Sequence, residues 1–387
     1  MATLGWISSP TCRPSNTITK TSYLNAQMHR AQCSLQPPPP PSPWLLLRST
    51  KTAYKMYSLA EGRVLTLNKS KDDVIPEKGL LVGSSHGWLA FFDKNSQHVF
   101  LSNPISGGHI KLPRSPYPWP CRVILSCAPG DDEKCYAVST KPALAFCQVG
   151  VSDEWTVFDI PILYDDFTYC STRKVFSFIT PSKFEFDPYG VRVVVLHDDI
   201  GHVEEHQIDY WEISNEEEVM MRPVDSTWFW ALEGPPHSWK ENEDVELLTK
   251  RCSQKLHLVH YHALPLPLIV VQFKMLYGMT RGFLVLQIDE GAGIIKVVED
   301  LKGLAIFVGM SHSFAIPVPD TGTILKPNSI YFTPSTSLLD GFISKDVGIF
   351  DYHNKTFSPC YYNNLETDHH HHANFYNGPH PMWFTPH

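Results

Sequence analysis

The sequence contains a match to a nucleophile motif of hydrolases. Gly83-Ser84-Ser85-His86-Gly87 has the G-x-S-x-G spacing, in which a sharp strand-to-helix turn exposes a serine oxygen beside an oxyanion hole. The next residues, Trp88 to Phe92, form an apolar and aromatic run that is typical of a strand instead of a helix. A serine hydrolase that uses Ser85 is therefore only a remote alternative.

A histidine run near the end of the chain could in principle bind a metal. His369 to His372 follow Asp368 directly. Because consecutive side chains diverge, they cannot form the closed tetrahedral shell that a structural zinc site requires. We predict a polar loop here and no metal-ligating residue.

Adjacent carboxylates occur four times, as Asp72-Asp73, Asp131-Asp132, Asp165-Asp166 and Asp198-Asp199. General acid–base catalysis needs two carboxylates that face one cleft with separated pKa values, whereas adjacent residues of a strand point to opposite faces. The sequence also lacks a P-loop, a G-x-G-x-x-G motif and an H-E-x-x-H motif. We predict no catalytic residue, no cofactor and no enzymatic activity.

The nine cysteines include no C-x-x-C pair, and the closest two are Cys121 and Cys127. A zinc ribbon or a redox dithiol would need close pairs. The pattern predicts buried, reduced thiols in a reducing compartment.

Charge and hydropathy argue against two kinds of partner. The chain has 32 basic and 40 acidic residues, a net charge of −8, which does not favour a nucleic acid or an anionic membrane. The most apolar long stretch, Leu258 to Phe273, contains two prolines and is too short to span a bilayer. We predict neither nucleic-acid nor membrane binding.

The N-terminus differs in composition from the rest. The first sixty residues contain no Asp or Glu and have six Lys or Arg. An acid-free, hydroxyl-rich segment of this kind indicates a possible transit peptide, with a disordered leader or a lost upstream domain as alternatives. The predicted location is cytoplasmic or nuclear, or, if the segment directs import, the mitochondrion or chloroplast. The prolines at 37–41 and 43 mark a boundary between a Pro/Ser-rich leader, residues 1–43, and a domain at 44–387.

After this boundary, short apolar runs alternate with turn residues. Gly79 to Gly83, Trp88 to Phe92 and His98 to Leu101 are three such runs, and similar groups recur to residue 350. Groups of about four short strands repeating every 40–50 residues or so are typical of a β-propeller, here with about six or seven blades. A β-sandwich with insertions is the competing architecture. Residues 198–253 do not follow this repeat of short apolar runs and turns. They predict a blade remnant with a long, partly helical acidic insertion.

An ordered set of short motifs spans roughly residues 43–387. The segments are Pro43-Trp44-Leu45, Tyr57-Ser58-Leu59, Gly83 to Leu89, Leu101 to Gly107, Leu112-Pro113, Leu144 to Cys147, Glu154 to Thr156, Tyr164 to Phe167, Leu304 to Gly309, Ser311 to Phe314, Lys326 to Thr333 and Pro381 to Pro386. Taken in this order, they resemble a plant family, the F-box-associated domain of unknown function 295, which comprises KIB-type β-propeller proteins.

The resemblance implies a kelch-like β-propeller that binds another protein. In many members an N-terminal F-box docks a Skp1-type adaptor, while the propeller selects proteins for ubiquitination as a substrate receptor of an SCF ubiquitin ligase. Residues 1–42 lack the leucine periodicity of that helical module, so no Skp1-type adaptor is expected to bind. An organelle-targeted member without a ubiquitin role is the alternative. The resemblance does not identify the protein partner.

Overall fold

Every regular element in the described part of the chain is a β-strand. The computed structural model describes residues 42–69, 76, 79–118, 122–130, 134–140, 143–158, 166–181, 191–197, 203–208, 252–264, 267–275, 279–289, 294–319, 324–334, 346–360 and 381–386. The chain divides into two units, residues 1–40 and 41–387, and the described residues all belong to the second. The leader therefore stays a prediction.

The first twelve strands cover residues 44–170. They are β1 (Trp44–Ser49), β2 (Ala53–Ser58), β3 (Arg63–Asn68), β4 (Leu80–Ser85), β5 (Trp88–Phe92), β6 (His98–Ser102), β7 (His109–Arg114), β8 (Arg122–Leu125), β9 (Tyr136–Thr140), β10 (Leu144–Gln148), β11 (Thr156–Phe158) and β12 (Asp166–Cys170).

Thirteen further strands follow. They are β13 (Val175–Pro181), β14 (Val191–His197), β15 (Val203–Ile208), β16 (Ser253–Val259), β17 (Leu268–Lys274), β18 (Thr280–Asp289), β19 (Ile294–Val297), β20 (Leu304–Val308), β21 (Phe314–Pro317), β22 (Ser329–Phe332), β23 (Gly348–Asp351), β24 (Thr356–Ser358) and β25 (Met382–Phe384).

These strands form five four-stranded sheets and one five-stranded sheet. In chain order, sheet 1 is β25-β1-β2-β3, sheet 2 is β4 to β7, sheet 3 is β8 to β11, sheet 4 is β12 to β15, sheet 5 is β16 to β19 and sheet 6 is the five-stranded sheet of β20 to β24. The four-stranded sheets are antiparallel throughout. The all-β meander that the sequence predicts is therefore confirmed.

The sheets pack face to face, which explains why their middle strands are apolar on both faces. All residues of β5 and β17 are buried, whereas the outer strand β3 is mostly exposed. A strand that is covered on both faces loses the alternation of apolar and polar residues.

Six apolar clusters join each sheet to the next and the last sheet to the first. For example, Phe167 and Phe178 of sheet 4 pack with Ile124 and Val138 of sheet 3. Tyr331 of sheet 6 packs with Trp383 of sheet 1. Because the series of contacts returns to its start, the sheets form a closed ring.

The C-terminal strand completes the first sheet and thereby closes the ring. Leu45 of β1 pairs with Trp383 of β25 in an antiparallel register. The indole Nε1 of Trp383 also donates to the carbonyl oxygen of Val308 in sheet 6, over 3.1 Å. Residues from both ends of the domain thus hold sheets 6 and 1 together.

Sheet 6 departs from the four-stranded pattern. Its order is β21-β20-β22-β23-β24, and β20 pairs with β22 in parallel. The extra strand β21 follows β20 along the chain, and residues 309–313 link the two strands.

Only the first part of the predicted blade remnant and acidic insertion at 198–253 falls among the described residues. There, Val203–Ile208 is the outer strand of sheet 4, paired with Val191–His197. Residues 209–251 lie outside the described residues.

Candidate functional site

Ser85 does not occupy a nucleophile elbow. It ends β4, and the next strand, β5, begins after a two-residue turn formed by His86 and Gly87. Both turn residues have positive φ angles, 49° and 76°, as a type I′ hairpin requires. Ser85 is 4% exposed, and its hydroxyl oxygen accepts a hydrogen bond from the backbone N–H of Leu125 at 2.9 Å. The serine thus joins two sheets, and the strand that follows it excludes the strand–turn–helix context of a hydrolase.

Most other sequence-based candidates lie outside the described residues. This holds for His369 to His372 and for the pairs at 72–73, 131–132 and 198–199. Of the fourth pair, the structure describes only Asp166. Asp166 proves to be the centre of a buried polar network that the sequence does not indicate.

The first strands of sheets 2 to 5 lie next to one another around the ring. Gly83 of β4 meets β8 so closely that an added Cβ would lie 1.9 Å from the carbonyl oxygen of Val123. Asp166 begins β12, beside Arg122 at the start of β8. Its carboxylate also accepts a hydrogen bond from the backbone N–H of Leu258 in β16, at 2.9 Å. Side chains on these strands therefore meet across sheets.

Asp166 is the acceptor at the centre of this network. Arg122 forms an ion pair with its Oδ1 atom, which also accepts the backbone N–H of Phe167 at 2.7 Å. Its Oδ2 atom accepts a bond from the Ser313 hydroxyl at 3.3 Å and lies 3.6 Å from His257 Nδ1. Burial alone would raise the pKa of Asp166, but the positive charge of Arg122 and the neighbouring His257 outweigh it and lower the pKa to about 2. The carboxylate is ionised at neutral pH.

The link between β20 and β21 reaches this network from sheet 6. Arg122 Nη2 donates to the carbonyl oxygen of Ser311 at 2.5 Å. The backbone N–H of His312 donates to the carbonyl oxygen of Ser84 at 3.0 Å, and its Nε2 atom lies 2.9 Å from the Thr168 hydroxyl. The His312 ring also stacks on that of His86, with centroids 5.8 Å apart. Residues 311–313 thus contact sheets 2, 3 and 4.

His312 is held neutral at physiological pH. Burial, then the neighbouring His86 and Arg122, lower its pKa to about 3. A neutral imidazole can accept or donate one hydrogen bond at each nitrogen without adding a second cation beside Arg122.

A chain of side-chain hydrogen bonds begins at His257, crosses sheet 5 and ends at Asp346, which precedes β23 of sheet 6. His257 Nε2 and Gln272 Oε1 are 3.0 Å apart, and Gln272 Nε2 donates to the Thr280 hydroxyl at 2.6 Å. Thr280 donates its hydroxyl and its backbone N–H to Asp346, at 2.5 and 3.0 Å. Lys274 Nζ lies 3.8 Å from the same carboxylate. We call these residues, together with Arg122, Asp166 and residues 311–313, the central network.

The contacts of the central network stabilise the fold. Asp166 is a weak base because its pKa is low, and its oxygens already accept four hydrogen bonds or ion pairs. His312 is engaged through its ring and its backbone. Among the residues that the structure describes, no cluster of three His, Cys, Asp or Glu side chains could hold a metal ion. The network therefore ties five sheets together around the ring.

Sheets 2 and 3 present a second candidate site at one end of the ring. Gly83 lies beside Val123 and Ser85 beside Leu125, so β4 and β8 run in the same direction. Because strands alternate within each antiparallel sheet, the turns after the first and third strands of both sheets lie at the same end. We call the described parts of these turns, residues 86–87, 103–108, 126–130 and 149–155, the four-turn surface.

Two large apolar side chains are exposed on the four-turn surface. Ile105 is 46% and Val151 is 66% exposed. Both turns are fixed by hydrogen bonds: Asn103 Oδ1 accepts the backbone N–H groups of Ile105 and Ser106, each at 2.9 Å, and the Ser152 hydroxyl accepts that of Gln148 at 3.0 Å. Exposed apolar groups on ordered turns lose little conformational entropy when a partner binds.

Trp155 joins the two sheets beneath this surface. It is 7% exposed, and its indole Nε1 donates to the carbonyl oxygen of Pro113 in β7 at 3.0 Å. Trp155 and Trp88 belong to one apolar cluster shared by sheets 2 and 3. The turns that carry Ile105 and Val151 therefore stand on a common core.

Within the residues that the structure describes, no helix is long and apolar enough to cross a bilayer.

The closed ring of small antiparallel sheets, with its polar centre and its ordered turns, defines a β-propeller. Residues 56–351 match the family model described as the KIB1-4 beta-propeller. The chain belongs to this family. The β-propeller that the sequence predicts is thereby confirmed, and so is its KIB type.

Other comparisons show only remote similarity. A search of curated proteins finds no match. A chain of a nidogen/laminin complex is 9% identical, with 82% of this chain and 92% of that chain covered and a TM-score of 0.39. The extracellular domain of the hybrid two-component system BT4673 from B. thetaiotaomicron is 9% identical, with coverages of 81% and 32% and a TM-score of 0.32. A Dos1 propeller is 8% identical, with coverages of 70% and 56% and a TM-score of 0.27.

Proposed function

We propose that this chain is a non-enzymatic β-propeller that binds a protein partner through the four-turn surface. The observation that carries the proposal is the exposure of Ile105 and Val151 on two ordered turns at the same end of adjacent sheets. Apolar side chains that project from a rigid base are typical anchors of protein interfaces. The partner's contact surface is apolar, because the binding free energy from burying those two side chains is largest when an apolar surface covers them.

The central network supports a scaffold role for the middle of the ring. Its charged groups pair with one another, and its hydrogen bonds cross from sheet to sheet. Recognition then belongs to the turns, which the ring holds in fixed positions. In this proposal each of the six sheets is one blade, and sheet 6 is a blade with an added strand. The kelch-like type remains part of the proposal.

The resemblance to F-box-associated proteins supports a finer proposal, that the propeller corresponds to the substrate-recognition part of such proteins, here without a clear F-box. A location in the cytoplasm or nucleus is part of the proposal, with an organelle-imported form as the alternative. Fusing residues 1–42 to a fluorescent protein separates the two locations: a diffuse signal would remove the imported form.

The binding proposal is tested by paired surface variants. Proximity labelling of the full chain first identifies candidate partners, and each is then purified and titrated against the wild type and two double variants. I105D/V151D should weaken binding of the true partner by about tenfold or more, since interface anchors contribute upwards of about 1.4 kcal/mol. V64D/I324D is the matched control, because Val64 in β3 and Ile324 between β21 and β22 are 43% and 64% exposed away from the four-turn surface. Equal affinity for both double variants would refute the four-turn surface as the binding site.

A further inference from the structure

Two cysteines face each other across the hairpin of β8 and β9. Leu125 pairs with Ala137, and the backbone N–H of Ser126 donates to the carbonyl oxygen of Tyr136 at 2.9 Å. Extending this register by one more residue places Cys127 opposite Cys135. The spacing of the two along the chain, with seven residues between them, does not resemble a C-x-x-C motif.

The side chains of these cysteines lie on the same side of the sheet and close together. The Sγ atom of Cys135 donates to the carbonyl oxygen of Cys127 at 3.2 Å. Both cysteines pack in the apolar cluster shared by sheets 2 and 3. Residues directly opposite each other in an antiparallel pair have Cα atoms about 4.5–5.5 Å apart, which falls within the span of about 4.4–6.8 Å that a disulfide bridges.

The two thiols differ in access to solvent. Cys127 is partly exposed at the start of a turn that belongs to the four-turn surface, whereas Cys135 is 6% exposed. Burial, and then the neighbouring Cys127, raise the pKa of Cys135 to about 12, so Cys135 is a protonated thiol at neutral pH. An oxidant from solution therefore meets Cys127 first.

We propose that Cys127 and Cys135 form a reversible disulfide by exchange with a low-molecular-weight disulfide such as oxidised glutathione. The Cys127 thiolate attacks one sulfur of the small disulfide, forms a mixed disulfide and releases the first small thiol. Cys135 then gives its proton to solvent and attacks the Cys127 sulfur, which releases the second small thiol. Two protein thiols lose two electrons and two protons, and one small disulfide becomes two small thiols.

Cys147 is the nearest competitor and its geometry is less favourable. It lies on β10 opposite Ala137, so that it is diagonal to Cys135, and it is 1% exposed. Burial raises the pKa of its thiol to about 12. Cys147 thus provides a matched control, a buried thiol in the same cluster that does not face Cys127.

The disulfide can be mapped by tryptic peptides. Cleavage after Lys134 separates residues 123–134, which contain Cys127, from residues 135–173, which contain Cys135, Cys147 and Cys170. The folded full chain is equilibrated with graded mixtures of oxidised and reduced glutathione, its free thiols are blocked with N-ethylmaleimide, and it is digested and analysed by mass spectrometry. We expect a crosslink between the two peptides that rises with oxidised glutathione and disappears with dithiothreitol.

Variants identify the second cysteine of the bond. The crosslink should remain in Cys147→Ala and Cys170→Ala and fall to background in Cys135→Ala. Fragmentation of the wild-type crosslink locates the bond without any variant, in case Cys135→Ala does not fold. A bond located at Cys147 or Cys170, or a wild type that carries glutathione on Cys127 without any crosslink, would overturn the proposal.

Discussion

The guanidinium of Arg122 and the carboxylate of Asp166 form an ion pair between sheets 3 and 4, with side chains 10% and 0% exposed. Breaking such a pair strongly destabilises the folded state, because removal of one partner leaves the other charge in a poorly solvated site. Arg122→Met should therefore lower the free energy of unfolding by about 3–5 kcal/mol. Denaturation by urea measures the loss.

The control for Arg122 is another arginine that pairs with a carboxylate in solvent. Arg63 contacts Glu61 at 2.6 Å with side chains 69% and 44% exposed. Arg63→Met should change the free energy of unfolding by less than about 1 kcal/mol, because solvent screens exposed pairs. Equal losses for the two variants would show that the buried pair has no special role.

Asp166 should make the stability of the domain fall in acid. Its pKa is lowered to about 2 in the folded protein, against about 3.9 in an unfolded chain, so its contribution is present above about pH 4 and is lost as the pH falls towards 2. The expected loss is on the order of 2 kcal/mol. The pKa values of Asp93 and Asp351 are also lowered and contribute in the same window. Asp166→Asn should flatten the pH dependence measured by urea denaturation, and an unchanged slope would contradict the assignment.

His312 should act in a higher pH window. Because its pKa is lowered to about 3, the unfolded chain takes up a proton near pH 6.5 that the folded protein does not bind until about pH 3. The free energy of unfolding should therefore decrease as the pH falls from about 6.5 to about 3, with a slope approaching about 1.4 kcal/mol per pH unit. His260, whose pKa is also lowered, adds to the same slope.

The variant His312→Gln tests this assignment by keeping a polar side chain without a titrating group. The slope between about pH 6 and pH 4 should decrease, while Asp166→Asn should leave it largely in place. If both variants remove the same part of the pH profile, the two groups do not titrate separately as the pKa shifts require.

The strands of sheets 2 and 3 could be predicted from sequence because their signals are local. Trp88 to Phe92 and Leu144 to Cys147 are apolar runs between turn residues, and both form strands close to the expected bounds. Sheet 1 was not predicted, since its closure pairs Leu45 with Trp383, and no local pattern reports a contact over that separation. The outer strand β15 contains Glu204 and Glu205, which interrupt the apolar pattern that identifies the other strands.

The central network could not be predicted because its members meet only when the ring forms. Asp166 was considered as half of a carboxylate pair, and Arg122, His257 and His312 were not singled out. One signal was available: Arg122 and His257 are polar residues inside otherwise apolar runs. Such a residue in a strand buried on both faces requires a partner. The identity of that partner depends on the packing of neighbouring sheets.

Gly83 is required for the close approach of β4 and β8. A Cβ atom there would lie 1.9 Å from the carbonyl oxygen of Val123, a backbone atom that cannot rotate away. Gly83→Ala should destabilise the domain by about 3 kcal/mol, because the two strands must separate. Gly150→Ala is the control: its φ angle is 74° but nothing lies near its Cβ, so only a backbone cost of about 1 kcal/mol is expected. A smaller effect at Gly83 than at Gly150 in thermal unfolding would refute the steric argument.

Trp383 should be the most sensitive position for closure of the ring. It is 1% exposed, packs edge-on against Phe307 and Tyr331 of sheet 6, and donates its indole N–H to Val308. Trp383→Ala should cost about 3–5 kcal/mol through the lost contacts and the cavity. Trp383→Phe should cost less, since it keeps an aromatic ring and loses the hydrogen bond. Closure also predicts that hydrogen exchange in Trp383→Ala increases first in β1, β20 and β25, the strands that meet there. A uniform increase over all sheets would instead show that the ring opens as one unit and that Trp383 has no local role in closing it.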